Sequence, residues 1–433
     1  VKSNNILSFF GLILILLSIF VYDKDTPFPS FYGLMPVVGA ALIIVFSEKT
    51  IVSKILSTKI LVYIGLVSYS AYLWHYPIFA FWRVHTLGPA DLSSSFIFLF
   101  LIFLLAALTW RFIETPFRKA RNFKRKIVFL VVSIWMVIFT VIGAIGYLNN
   151  GFIDRFGSKN SLLYEAVDDW GYPGNLNKSD IEGLYVLDKE KPINILFIGD
   201  SHADQFAPIA SDISNTVNMN VGYLSKSGCP PIPGVMEDIQ LCNSSIFDKL
   251  QLILKKEKHI KTIIISTCFN CYFIKESLPT SKYNYYYKDD RGSISFRKEE
   301  GRERAFTSLK NFIEKLSSDY KVILIGDNPS DESFNPKTIA AYNLQGDLRY
   351  FSHKYPNFSS GKFKVSSEIV DLNNKLLDLS KESARFLNSL EIVCPEGLCE
   401  SSTIKGVPYY KDDNHMRPFF IKNKFKDPII DLL

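Results

Sequence analysis

Gly199-Asp200-Ser201-His202-Ala203 follows directly on the apolar run 193–198, and Asp412-Asp413-Asn414-His415 lies near the far end of the chain. A serine placed just after a buried parallel strand projects from the carboxyl edge of a sheet, where its hydroxyl can meet substrate and its backbone N–H faces the same cleft. Serine is a weak nucleophile at its own pKa, so it needs a histidine to take its proton and an acid to hold that histidine in the right tautomer. His415 is the candidate base and Asp412 the candidate acid, with Asp413 as the alternative acid. His202 adjoins the nucleophile, but His415 brings its own orienting acid. Ser201 could also be a simple helix N-cap. The Gly-Asp before it, the buried strand upstream and the Asp-x-x-His downstream favour the nucleophile.

Gly199-Asp200-Ser201-His202 and Asp412-x-x-His415 resemble the first and last blocks of the SGNH (GDSL-like) hydrolases. Ser227-Gly228-Cys229-Pro230-Pro231 and Tyr409-Tyr410-Lys411-Asp412-Asp413-Asn414-His415 resemble the SGNH domain fused behind membrane acyltransferase-3 proteins. Residues 65–77 (GLVSYSAYLWHYP) and 112–118 (FIETPFR) are similar to the closing helices of that family's membrane part. The resemblance implies a multi-pass α-helical membrane region followed by a three-layer α/β SGNH-like domain with a parallel sheet. It also implies an oxyanion hole built from the Ser201 N–H, the Gly228 N–H and an asparagine after a later strand. For that third donor Asn270 is the candidate, although 266–270 lacks the usual Gly-x-Asn-Asp, so a two-donor hole stays open.

Composition agrees with two regions. Of 433 residues 48% are hydrophobic, and they crowd into the first third. Uncharged stretches at 6–22, 26–47, 60–82, 92–110 and 127–147 approach the roughly 20 residues that cross a hydrocarbon core. Arg111, Arg118, Lys119, Arg121, Lys124, Arg125 and Lys126 stand against the single acid Glu114, which the positive-inside rule places in the cytoplasm. Lys49, Lys54 and Lys59 fall on the same side. The chain after about residue 148 then lies outside, in the periplasm of a bacterial cell. The formal net charge of +6 owes much to these inner loops and is no footprint of nucleic acid.

All six cysteines follow the last span: Cys229, Cys242, Cys268, Cys271, Cys394 and Cys399. An even, segregated set suits an oxidising compartment. Cys229 with Cys242 and Cys394 with Cys399 are the expected pairs. Cys268 and Cys271 form a third disulfide, a metal half-site or two buried thiols; no metal site is expected elsewhere. The organisation read from the sequence is residues 1–148 as the closing part of the membrane domain, 149–190 as a linker and extension, and 191–433 as the SGNH domain. Within the last, 193–198, 262–266 and 322–325 read as buried strands, and 302–316 and 365–379 as helices.

His75, in an apolar span, reads equally as functional or structural. The tyrosine-rich run 283–287 reads as a surface or glycan-facing loop. The family's early membrane helices have no counterpart, and the chain begins at Val1, so a longer parent is expected. For that parent the resemblance implies an acyl-CoA donor, with no bound cofactor, and an envelope-glycan acceptor such as an O-antigen, reached from the inner membrane. The expected activity is O-acylation, most simply O-acetylation, of that glycan. The alternatives are a membrane-anchored esterase, and a non-enzymatic glycan-binding module.

Overall fold

The computed structural model describes the chain except residues 1–2, 24–25, 27–29, 87–89, 120–124, 153–157, 171, 173–174, 238–241, 243–244, 275–284 and 346–361. It divides into two compact units, Val1–Phe139 and Thr140–Leu433.

The first unit is helical: Asn5–Val21, Leu34–Phe46, Ile51–Leu56, Lys59–Thr86 and Leu92–Thr109, the last continuing through a π-helical turn, Trp110–Glu114, into Thr115–Lys119. Asn5–Val21 and Leu34–Phe46 meet through Gly11 and Gly39. A Cβ on Gly11 would stand 2.6 Å from the Gly39 carbonyl oxygen, the close backbone approach that small residues allow between apolar helices. Among the described residues, two stretches are long and apolar enough to cross a bilayer, Leu92–Arg118 and Lys126–Leu148. Asn5–Val21 and Phe31–Phe46 are apolar but shorter, and the 28-residue Lys59–Thr86 contains Pro77. Length and composition thus support two of the five expected spans. Loop positions 24–25, 27–29, 87–89 and 120–124, used in reading the topology, lie outside the described residues, as do 153–157 of the connector.

The second unit is built on a seven-stranded sheet. In chain order the strands are β1 Asn177–Lys178, β2 Leu184–Val186, β3 Ile195–Gly199, β4 Val221–Ser225, β5 Val235–Glu237, β6 Thr262–Ser266, β7 Tyr285–Asp289, β8 Gly292–Ser295, β9 Lys321–Ile325, β10 Lys362–Lys364, β11 Arg385–Leu387 and β12 Leu398–Glu400. The main sheet runs β1-β2-β4-β3-β6-β9-β11. From β4 to β11 all neighbours are parallel, and β1 and β2 add an antiparallel edge. Two small antiparallel sheets, β5-β7-β8 and β10-β12, stand apart.

Burial explains the order. β3 and β6 are buried at every residue, as central parallel strands covered on both faces must be, and both read as unbroken apolar runs. Right-handed crossovers fix the layers: the step from β3 to β4 runs one way along the sheet, and the steps onward to β6, β9 and β11 run the other. Ala210–Val217 therefore packs on one face, while Ser245–Lys256, Glu299–Ser317 and Ser367–Ser380 pack on the opposite face. The direction reverses between β3 and β6, and the crevice at their carboxyl ends is where such sheets bind ligands.

The segment read as linker and extension is built into this domain in part. β2 pairs with β4, and the Asn175 amide donates to the Ala207 carbonyl at 2.7 Å.

Candidate active site

Gly199 ends β3 where only hydrogen fits, since a Cβ there would sit 1.7 Å from the Ser266 carbonyl oxygen at the end of β6. That contact draws the two strand ends together. Asp200 then turns the chain. One of its oxygens caps the His202 N–H at 2.8 Å, and the other accepts from the Thr267 and Tyr272 hydroxyls at 2.6 Å each. The Cys268 N–H also points at this carboxylate, 3.1 Å from the nearer oxygen. Asp200 thereby fastens the short helix Ser201–Asp204 to the loop after β6, and Ser201 is left half-exposed at its start.

The loop bearing Asp412 and His415 comes over this edge from the far end of the chain. His415 Nε2 lies 2.8 Å from Ser201 Oγ, and its Nδ1 lies 2.9 Å from Asp412 Oδ2. Asp412 Oδ1 also accepts the backbone N–H groups of His415 at 2.7 Å and Asn414 at 3.1 Å. Burial works against the Asp412 charge, but these bonds and the adjacent imidazole outweigh it and hold the carboxyl down at about 2. Asp413 does not face the imidazole in this way; burial, then the nearby Asp412, pushes its carboxyl up, and its carbonyl takes the Asp331 N–H. Ser201, Asp412 and His415 are thus brought together as a relay.

Further polar contacts hold the histidine loop on the sheet. The Asn328 amide, after β9, donates to the Asn414 carbonyl at 2.7 Å and to the Tyr410 hydroxyl at 3.2 Å. Gln205 donates to Asn328 at 2.9 Å and accepts the Met416 N–H at 3.1 Å. Asn270, the candidate third oxyanion donor, belongs to this support. It is buried, its amide donates to the Asn328 carbonyl at 3.0 Å, and its N–H donates to Asp327 at 2.7 Å. One hydrogen of its NH2 group is thereby engaged by Asn328. The other two donor positions differ: among the described residues no acceptor takes the Ser201 or Gly228 N–H. Gly228 has φ +72°, a conformation that glycine adopts without strain.

His202 points away from Ser201 into a second, fully buried pair. Its Nδ1 lies 2.8 Å from Asp327, and its ring packs on His415 with centroids 5.1 Å apart. Burial would lower this imidazole, but Asp327 reverses the direction and carries it up to about 8. Asp204, on the same short helix, is raised to about 7 by burial, against the pull of hydrogen bonds with Ser225 and Tyr172.

All six cysteines pair, as Cys229–Cys242, Cys268–Cys271 and Cys394–Cys399. With both sulfurs bonded, Cys268 and Cys271 offer no thiolate to a metal. His75 sits in Lys59–Thr86 with Nδ1 against the Tyr72 carbonyl. Among the contributors that escaped the sequence reading are Trp170 and Arg417. Trp170 meets the His415 ring edge-on at 5.1 Å, with Lys411 over the indole at 4.8 Å, and Arg417 pairs with Asp169 at 2.7 Å. A lone aromatic in a polar extension gives no periodic signal. Tyr285, from the run read as a surface loop, is buried and donates to the Gly228 carbonyl at 2.6 Å; residues 283 and 284 lie outside the described ones.

A doubly wound sheet carrying a serine–histidine–aspartate relay at its switch point defines the class. The profile of the "SGNH domain (fused to AT3 domains)" matches residues 172–422, and the chain belongs to that family. A Staphylococcus aureus (strain MRSA252) protein that carries the name of an O-acetyltransferase is 31% identical over 247 residues, covering 53% of this chain and 38% of that protein. The chain therefore spans little more than a third of that relative's length. O-acetyltransferase OatA of S. aureus (strain NCTC 8325 / PS 47) is 43% identical over 77 residues, 18% of this chain and 13% of that protein. The periplasmic domain of the lipopolysaccharide acetyltransferase of Salmonella ser. Paratyphi A aligns over 64% of this chain and 97% of its own, with 14% identity and a TM-score of 0.39.

Proposed function

We propose that the chain is part of an O-acetyltransferase that modifies a cell-envelope glycan through a serine ester. The observation that carries this reading is the unbroken path from Asp412 through His415 to the half-exposed Ser201 hydroxyl, at 2.9 and 2.8 Å. In the first half-reaction Ser201 Oγ attacks the acyl carbonyl while His415 Nε2 takes its proton. The N–H groups of Ser201 and Gly228 receive the developing oxyanion, and the leaving group departs with the proton held on His415. In the second, a sugar hydroxyl gives its proton to His415 and attacks the Ser201 ester. The proton then returns to Ser201 Oγ, and the acyl group is left on the sugar. Asp412 keeps Nδ1–H directed at itself throughout, so Nε2 remains the acceptor. The names of the relatives, O-acetyltransferases, support acetyl as the transferred group.

The membrane half of the reading rests on the cationic loop 111–126 and the apolar stretches. Five spans would place the SGNH domain in the periplasm, with acyl groups brought across from an acyl-CoA donor. Pairing of all six cysteines supports an oxidising location. A second reading, hydrolysis with water as the acceptor, is favoured by the partial exposure of Ser201; Trp170 against His415 favours a shielded acceptor side instead. Expression of the full-length gene with Ser201 or Ser201→Ala, followed by mass spectrometry of the envelope glycan, tests the proposal. Acetyl groups present only with the serine support it. Equal acetylation in both strains refutes it, and fewer acetyl groups with the serine than with alanine favour the esterase.

A further inference from the structure

The two loops that offer oxyanion N–H groups are tied to each other by a pair of tyrosines outside the triad. Tyr285, the first residue of β7, lies 5% exposed and donates its hydroxyl to the Gly228 carbonyl at 2.6 Å. Its ring meets that of Tyr272 edge-on, centroids 4.9 Å apart. Tyr272, 2% exposed, donates to Asp200 at 2.6 Å, and Asp200 in turn caps the helix that begins at Ser201. One phenol therefore holds the Gly228 loop, the other holds the Ser201 turn, and the two rings touch.

Gly228 needs such a support. It stands in a turn, beside an exposed Ser227, with φ +72°, in the left-handed region that favours glycine. The turn has two other anchors, the Cys229 N–H to the Lys226 carbonyl at 3.0 Å and the Cys229–Cys242 disulfide. The Cys229 N–H shares a peptide plane with the Gly228 carbonyl and holds that plane from one side, while a disulfide sulfur has no hydrogen to donate to the carbonyl. Among the described residues, the Tyr285 hydroxyl is the donor to the carbonyl oxygen itself. The Gly228 N–H belongs to the preceding peptide plane, joined to this one through the Gly228 Cα, so a shift of the anchored carbonyl carries the Cα with it and displaces that N–H.

We propose that Tyr285, braced by Tyr272, is a positioning residue that aims the Gly228 N–H at the oxyanion formed on acylation of Ser201. The assignment rests on the acyl-transfer reading above. The tyrosine acts through Gly228, so it supports the transition state and leaves ground-state binding of substrate alone. Burial holds the Tyr272 phenol well above its ordinary range, so it remains a donor at any working pH.

The test is Tyr285→Phe in the full chain, with p-nitrophenyl acetate as the acyl donor. Active sites are counted with a fluorophosphonate, so that misfolded protein does not enter the rate. Loss of the hydroxyl should lower kcat roughly tenfold, less than the 100-fold or more that follows removal of a whole donor, with KM within about twofold. Inhibition by a trifluoromethyl ketone, whose adduct carries the oxyanion, should weaken by the same factor. In a Gly228→Ala background the tyrosine change should add nothing, because both act on one N–H. Unchanged kcat, a rise confined to KM, or an effect that is additive with Gly228→Ala overturns the inference. Ser201→Ala is run alongside. If it abolishes turnover while Tyr285→Phe does not affect it, this inference alone fails. Turnover that survives Ser201→Ala removes the acyl-transfer reading and the inference together.

Discussion

Asp412→Asn replaces one oxygen of the acid with an amide nitrogen and changes almost nothing else in size. Asp412 Oδ1 accepts two backbone N–H groups, at 2.7 and 3.1 Å, so an NH2 there would face two donors. The asparagine oxygen must therefore occupy the Oδ1 position, and its NH2 falls where Oδ2 now stands, 2.9 Å from His415 Nδ1. Nδ1–H would then have only the 3.1 Å contact with Oδ1, which already accepts two N–H groups, so the NH2 favours Nδ1 as an acceptor and the imidazole proton on Nε2, the atom that must take the proton of Ser201. Folding and substrate binding are preserved and the relay is blocked. Where this swap has been made in serine proteases it costs about 10⁴ in kcat, or roughly 5.5 kcal/mol of barrier, and the same is expected here. The assay is the rate of fluorophosphonate labelling of Ser201 together with p-nitrophenyl acetate turnover, with KM followed separately. Asp412 stays ionised down to about pH 2, so acidifying from neutrality does not remove this acceptor in the parent. With its folded pKa depressed, its ionised form contributes stability that is present above the ordinary carboxylate range and lost as pH falls through about 2. A variant within about tenfold of the parent in both assays would refute the assignment of Asp412 as the orienting acid.

Asp204→Asn should change how stability depends on pH. The buried Asp204 carboxyl is raised to about 7, so the folded chain holds a proton there that the unfolded chain has released, and parental stability falls as pH rises from the ordinary carboxylate range to about 7. Melting temperatures of parent and variant across that window should diverge with the parent falling faster; parallel curves would contradict the raised carboxyl. Gly199→Ala should cost about 3 kcal/mol or more, since a Cβ 1.7 Å from the Ser266 carbonyl must spread β3 from β6, and a variant that melts with the parent would show that the strand ends are looser than described. For the topology, a reporter active only in the periplasm should be silent when fused within 111–126 and active when fused after Gly151, and the opposite pattern would invert the arrangement.

Much of the relay was legible because its members are short-range signals. Gly199-Asp200-Ser201 follows a strand whose burial shows as an unbroken apolar run, and Asp412 and His415 lie three residues apart, so one loop delivers acid and base together. β6 and β9 were legible for the same reason as β3. β4 was missed because Gly222 interrupts its apolar run, to make room for the Ile193 side chain against it. β11, three residues long, is too short for any period to show. What supports the relay lay further out of reach. His202 finds Asp327 across 125 residues, and Tyr285 finds Gly228 across 57. Those contacts exist because parallel strands deliver their carboxyl ends to one edge, whichever part of the chain each comes from. The same edge explains the contacts that Asn270 makes. Three strand-end loops and the histidine loop converge there, their buried polar groups must all find partners, and the Asn270 amide meets the Asn328 carbonyl in that network. A local motif can thus identify the members of the candidate relay. Identifying those that aim them requires knowing which strand ends are neighbours, and here the order β4-β3-β6-β9 brings Gly228, Ser201, Asn270 and Asp327 side by side, each in the loop that follows its strand.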